Sequence, residues 1–492
     1  MSKKKDDEKS KFMRIERAAA LEVSNFLFAL GNQFVGVQNA AGAFDCFKYS
    51  LDLNPFNHPA VHNLGALYFS KGELQSALRM FRESVRMDPE QVSANVALAE
   101  TLRKLGEWRE ASDILEEQAK RAPDHFQVLS AMAVLMYDRG RLAEAQRYND
   151  AALKKVPSDA HMLLNKALLG MLYGKWPEYW KDYEYNLSYR QNPRMKNLRM
   201  GDAWAGEECE GKALLVIADQ GYGDSIQMSR YLLEAKALGK FAKLTYLVQP
   251  ELVSLMKRSG VADEVVGFAE AQSISRDSFS SLLGVMRVLQ VSPENCWRPP
   301  HLVSDPQLDA VWAARLGERR PGKFRVGVTW QGDRAHGNDQ SRSMPPSALV
   351  SLLKGLRSDG GEVVLPPKNV EWYSFQVGRA VQALAADPAG DCFGAMDLGT
   401  DFRHFDDTLS ALRQMDLLIA VDTSIGHLAG CAGIPCWSVL SSPAEWRWGL
   451  VGTTSPWYST AQLFRQSEPR DWTTVMLAVL RRLQEEVPWP QA

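Results

Sequence analysis

The chain has 492 residues, 45% hydrophobic and 24% charged, with a formal net charge of −2. That length is too great for one core and predicts roughly two to four domains. The near-neutral charge and the lack of a basic block argue against nucleic acid as a main partner. No apolar run approaches the length needed to span a bilayer. The six cysteines (46, 209, 296, 392, 431 and 436) form no C-x-x-C pair and read as reduced, mostly buried thiols, which points to the cytoplasm. His58 and His62 share a helical spacing, but no further ligand stands near them, so no metal is expected.

In chain order, "MSKKKDDEKSK" mixes both charges, has no apolar core and reads as a disordered, solvated tail (residues 1–23), not a signal peptide. A repeat follows. Pro55, Pro89, Pro123 and Pro157 are each 34 residues apart, and Ala43, Ala77, Ala111 and Ala145 keep the same spacing. So do Gly72, Gly106, Gly140 and Gly174, with Gln38 breaking the glycine series in the first repeat. This is the period of tetratricopeptide repeats, and it predicts an all-α solenoid over residues 24–190. Such a surface suits an extended protein or peptide segment; a dimerising spacer, and so a homo-oligomer, is the other reading. Trp176, Tyr179, Trp180, Tyr183 and Tyr185 are expected to form a hydrophobic cap that docks on the next domain, rather than a ligand-stacking face. Residues 191–210 read as a linker.

Residues 211–318 and 319–492 are expected to form two Rossmann-like α/β halves facing a cleft at the strand carboxyl ends. In the first, strand "KALLVIA" runs into "DQGYGD", where Gly221 and Gly223 allow a tight turn and Asp224 begins a helix. Residues 277–291 read as a helix where a further strand would be expected. In the second, strand "KFRVGVTW" ends in the polar loop "QGDRAHGNDQSRSMP", and "EVVLP" reads as a strand running into Pro367 and Lys368. The stretch "DLLIAVDTSIGHLAGCAGIPCWSVL" reads as strand, tight turn, helix and strand. Its turn aims free N–H groups and the positive end of a helix dipole at an anion such as a diphosphate. An ordinary well-capped βα corner is the alternative.

Together "QGYGDSIQMSRY", "VTWQGDRAHGNDQSRSMP", "VDTSIGHLAG" and "EWRWG…SPWY…LFRQ" resemble bacterial tetratricopeptide proteins carrying a heptosyltransferase-like glycosyltransferase domain. More distantly they resemble flagellin glycosyltransferases and O-linked N-acetylglucosamine transferases. The resemblance implies the GT-B architecture of two Rossmann-like domains, with the acceptor on the first half and the nucleotide-sugar donor on the second. It implies that Thr423, Ser424 and His427 hold the donor's diphosphate, with Asp422 near sugar or ribose hydroxyls and Trp330 also on the donor side. Asp224 becomes the general base. A plain helix cap for Asp224 and a core role for His427 are the structural alternatives. Lys368 would reach phosphate as a point charge or stand in solvent as a surface lysine. Gln220, Gly221, Gly223, Asn338, Asp339 and Arg342 are further cleft candidates, and Arg342 equally suits a structural ion pair. No D-x-D sequence occurs, so metal-independent transfer to a protein hydroxyl is expected, with no cofactor beyond the nucleotide-sugar. Flagellin or another surface protein is the acceptor class that the resemblance implies. A non-catalytic repeat scaffold and a glycan- or lipid-directed enzyme are the competing readings.

Overall fold

The computed structural model describes residues 2–192, 202–333, 339–358, 360–378 and 397–487. They fall into two compact units: residues up to Tyr137 with Arg141–Met162, and Asp138–Gly140 with the residues from Leu163 onward.

The first unit is a helical solenoid of α1 (Ser2–Gly36), α2 (Ala40–Leu53), α3 (His58–Ser70), α4 (Leu74–Met87), α5 (Val92–Leu105), α6 (Trp108–Arg121), α7 (Phe126–Asp138), α8 (Leu142–Lys155) and the start of α9 (Ala160–Leu172). The four alanines of the 34-residue series are fully buried. At Gly31 a Cβ would stand 2.5 Å from the Phe47 ring, and at Gly65 one would stand 2.9 Å from Phe81, so the helix pairs close only over small residues. The glycines at 72, 106, 140 and 174 all have positive φ, and Gln38 adopts the same left-handed turn at φ 58°. The conformation that the period demands therefore survives without the glycine that usually provides it. The amino-terminal segment read as a disordered tail is instead helical from Ser2. It has neither glycine nor proline before Gly31 and is rich in Lys, Glu, Arg and Ala, all good helix formers.

The second unit holds α10 (Trp176–Glu184) and two five-stranded parallel sheets flanked by helices, an α/β arrangement. The first sheet has β1 (Asp202–Ala203), β2 (Ala213–Ile217), β3 (Lys243–Val248), β4 (Glu264–Gly267) and β5 (Ser278–Ser281) in the order β1-β5-β2-β3-β4. The strand that the sequence failed to show is β5, whose "SFSS" is wholly buried. Within the stretch read as linker, Asp202–Ala203 adds an edge strand beside β5. The second sheet contains β6 (Phe324–Thr329), β9 (Val370–Ser374), β10 (Leu417–Val421), β11 (Cys436–Leu440) and β12 (Ala461–Arg465), in the order β12-β11-β10-β6-β9. The valines expected to form a sheet strand here are only β8 (Val363–Val364), hairpinned with β7 (Leu356–Arg357).

Trp176 stacks on Trp457 (5.1 Å, 13°) and meets Trp446 edge-on, while Trp180 Nε1 donates to the Val291 carbonyl at 2.7 Å. The aromatic helix is thus built into the α/β core. Val326, Val328, Ile419, Val421 and Val439 of the second sheet pack on Val475, Met476, Val479, Leu480 and Leu483 of the Trp472–Glu486 helix. Cys46, Cys209, Cys296, Cys431 and Cys436 are free and buried. Among the described residues no helix is long and apolar enough to cross a membrane.

Candidate active site

Each sheet reverses its winding direction once. In the first, the chain moves from β2 outward through β3 and β4, then returns to β5 on the other side of β2. In the second it moves from β6 to β9, then crosses back to β10 beside β6. Crevices open at the carboxyl ends of strands at such switch points.

At the first switch point, Gly221 caps the Tyr222–Met228 helix, and its N–H donates to Asp224 Oδ2 at 3.1 Å. Ser225 and Gln249 pin the turn: the serine hydroxyl donates to Gln249 Oε1 (2.9 Å), and Gln249 Nε2 donates to the Gln220 carbonyl (2.9 Å). Gln220 Nε2 in turn donates to Asp219 Oδ2 at 2.6 Å, while the Leu282 N–H, just past β5, reaches Asp219 Oδ1 at 3.1 Å. Burial lifts the Asp219 carboxyl to about 6.

At the second switch point, Thr423 caps the Ser424–Ala432 helix in extended geometry but makes no side-chain cap bond. Its hydroxyl oxygen is buried without a hydrogen-bond partner among the described residues. His427, one turn on, is almost wholly buried. Its Nδ1 lies 2.8 Å from the Tyr458 hydroxyl, its ring stacks on Trp448 (5.4 Å, 15°), and Nε2 is 3.8 Å from Asp422 Oδ1. Burial, reinforced by the Arg447, Arg230 and Arg342 cations, holds the imidazole well below its usual pKa, so it is neutral at physiological pH. Arg342 Nη1 donates to the Asp422 carbonyl (3.2 Å) and ties the loop after β6 to the end of β10. Asp339 is buried and accepts from the Ser343 hydroxyl (2.7 Å), with Arg342 Nε at 3.7 Å. It braces the loop.

The two turns face each other. A Cβ at Gly223 would stand 2.9 Å from His427 Cδ2 and 3.6 Å from Ser424 Cα. The structure thus brings Gln220, Gly221, Gly223, Asp224, Asp339, Arg342, Asp422, Thr423, Ser424 and His427 to the two switch points. Two expectations need correction. Trp330 packs into the hydrophobic core, with its backbone N–H on Gln376 Oε1 (3.1 Å), so its ring is no open donor platform. Lys368 lies between the short hairpin strand β8 and β9, and so precedes a strand of the five-stranded sheet rather than following one, because that strand begins at Val370. That puts it at the amino-terminal edge of the sheet, about 15 Å or more from the Thr423 turn at roughly 3.3 Å per residue. Asn338 lies outside the described residues.

From sequence, Arg447 reads only as one of a group with Trp446, Trp448, Trp457 and Tyr458 that is part core and part cleft wall, with no specific partner. Its Nη2 pairs with Asp224 Oδ1, Nη1 with Glu445 Oε1 (2.6 Å) and Nε with Gln227 Oε1 (2.7 Å), while the guanidinium lies over Trp446 at 4.3 Å. An arginine between two tryptophans in "EWRWG" was the available signal, since a charge in so apolar a setting needs specific partners. Among the described residues no three His, Cys, Asp or Glu side chains are grouped to hold a metal ion.

The tetratricopeptide repeat model matches residues 68–135, in accord with the solenoid. Protein FlbA of Caulobacter vibrioides is 24% identical over 356 residues, covering 67% of this chain and 56% of FlbA. The match therefore spans just over half of that relative's length. Among solved structures, the type IV pilus biogenesis factor PilW is 19% identical, covering 36% of this chain and 81% of its own, with a TM-score of 0.32. A tetratricopeptide repeat protein of Thermus thermophilus is 18% identical, covering 36% of this chain and 96% of its own, with the same TM-score of 0.32.

Proposed function

We propose that the α/β part is a metal-independent GT-B glycosyltransferase. It would move a sugar from a nucleotide-activated donor to a hydroxyl of a protein recruited by the repeats, flagellin or another bacterial surface protein being the acceptor class suggested by resemblance. The observation that carries this reading is the juxtaposition of two switch-point turns, one bearing Asp224 and the other an uncapped helix terminus. The donor's diphosphate sits at the Ser424–Ala432 helix, where first-turn N–H groups and the dipole favour negative charge. Rotation about χ1 brings the Thr423 hydroxyl, otherwise unpartnered, onto a phosphate oxygen. Tyr458, which burial keeps protonated, donates to His427 Nδ1 and leaves Nε2–H facing the cleft. The acceptor oxygen attacks the anomeric carbon as its proton passes to Asp224, and the sugar–phosphate bond breaks to release the nucleoside diphosphate. Arg342 and the helix terminus stabilise that leaving charge.

One observation favours a binding-only role: both Asp224 oxygens are already engaged. Two measurements decide. A thermal-shift panel of UDP, GDP, ADP and CDP should raise the midpoint of wild type with one diphosphate and not of Thr423→Ala. Asp224→Asn should abolish transfer of labelled sugar while diphosphate binding survives; wild-type turnover by that variant would end the catalytic assignment.

A further inference from the structure

The engagement of Asp224 has a chemical meaning if the phosphate site lies where the preceding reading puts it, and the inference rests on that reading. Arg447 belongs to the second half of the α/β unit and Asp224 to the first, so their ion pair spans the cleft. The two carboxylates on Arg447 are not equivalent. Glu445 stands two residues away on the same turn, and its Oε2 also accepts the Arg447 backbone N–H at 2.9 Å. That pair is chelated by its own backbone. The bond to Asp224 has no such tether, and Asp224 keeps the Gly221 N–H as a second partner when the guanidinium leaves. Arg447 lies within electrostatic reach of Asp422 and His427, beside the helix terminus that would receive phosphate. Gly223, next to Asp224, touches that same terminus.

We propose that Arg447 is a donor-sensing latch, for which Asp224 and the donor's phosphate oxygens are alternative partners. A phosphate at the Ser424 terminus adds charge-assisted acceptors to a guanidinium already held by Glu445, and the bond across the cleft is the one that yields. Donor binding then releases Asp224 as a free carboxylate, able to accept the proton of an acceptor hydroxyl. Binding becomes ordered, donor before acceptor, and the base is not exposed while no activated sugar is at hand. Arg447 thereby acts as a positioning residue for the base as well as a phosphate ligand.

Linkage makes this testable by binding alone: whatever competes with phosphate for Arg447 weakens phosphate binding, and its removal strengthens it. Asp224→Asn keeps the helix cap but removes the competing charge. Calorimetric titration of the full chain with UDP, GDP, ADP and CDP should show the bound diphosphate held about tenfold more tightly by Asp224→Asn than by wild type. Arg447→Lys should bind it more weakly, and adding Asp224→Asn to Arg447→Lys should give little or no further gain. The corresponding nucleoside, lacking phosphate, should not distinguish wild type from Asp224→Asn. Unchanged or weaker diphosphate binding by a folded Asp224→Asn overturns the latch and leaves the phosphate site standing. Absence of diphosphate binding by both wild type and Asp224→Asn overturns the phosphate site itself, and the latch with it.

Discussion

Gly223 and His427 are in complementary contact between the two switch-point turns: the hydrogen of the glycine faces the imidazole where a Cβ would stand 2.9 Å from Cδ2. Separations that short require something to move. The ring cannot give easily, being held by Trp448 on its face and Tyr458 at Nδ1. Position 223 lies in a helix without positive φ, so alanine alone would gain up to about 1 kcal/mol of propensity. Overlap with a packed ring costs about 1–3 kcal/mol and outweighs that gain. Gly223→Ala should therefore lower the denaturation midpoint and shift the His427 resonances; a higher midpoint would show that the two turns separate freely.

His301 offers a pH test. Its backbone N–H donates to the Cys431 carbonyl, and its Nε2 lies 2.9 Å from the Ser229 hydroxyl. Burial first, then the Arg230 cation, lower its pKa from 6.5 to about 3. Between those values the unfolded chain binds a proton that the native protein does not, so this group's contribution falls as pH drops from 6.5 towards 3. The full effect is up to about 5 kcal/mol at 1.36 kcal/mol per pKa unit. His301→Gln should flatten the acid side of the stability profile, and NMR should find the wild-type imidazole neutral at pH 5.

Trp176 is 2% exposed and lies among Trp180, Trp446 and Trp457. Its indole N–H donates to the Met171 carbonyl at 2.8 Å. Truncation of so large a buried ring costs about 3–5 kcal/mol. Trp176→Ala should lower the melting transition of the α/β unit in calorimetry and leave that of the first eight helices in place. A shift confined to the helical transition would assign α10 to the solenoid instead.

The solenoid was legible because its period is local: each position's small residue, turn and proline recur at a fixed step. Even Gln38 obeys the geometry, and only its side chain hides the turn. In β5 the signal failed for the opposite reason. Ser278, Ser280 and Ser281 have none of the apolar bulk of a buried strand and so read into the following helix, yet they are buried, the Ser281 hydroxyl donating to Glu184 Oε1 at 2.8 Å. Lys368 was misplaced because Val363 and Val364 have the stronger strand composition, while the sheet takes the mixed "VEWYS" of Val370–Ser374. Turn residues such as Gly221 and Thr423 were readable from cap and strand patterns. The Asp224–Arg447 pair was not, because tertiary packing alone joins two residues so far apart in the chain.

Asp219 opposes His301 in the same pH range. Its side chain accepts from the Gln220 amide and the Leu282 N–H, and burial raises its carboxyl from 3.8 to about 6. Between those values the native protein binds a proton that the unfolded chain does not, so stability declines as pH rises through the window. At 1.36 kcal/mol per unit the loss by neutral pH is about 3 kcal/mol. Asp219→Asn removes that slope while keeping one carbonyl oxygen for the Leu282 N–H, although its amide cannot accept from Gln220 as well. The variant should therefore show a steeper rise in stability from pH 4 to 6 than wild type, because the His301 contribution is then unopposed. Denaturant midpoints measured at pH 4, 5, 6 and 7 check this, and parallel profiles for the two proteins would show that Asp219 is ionised throughout.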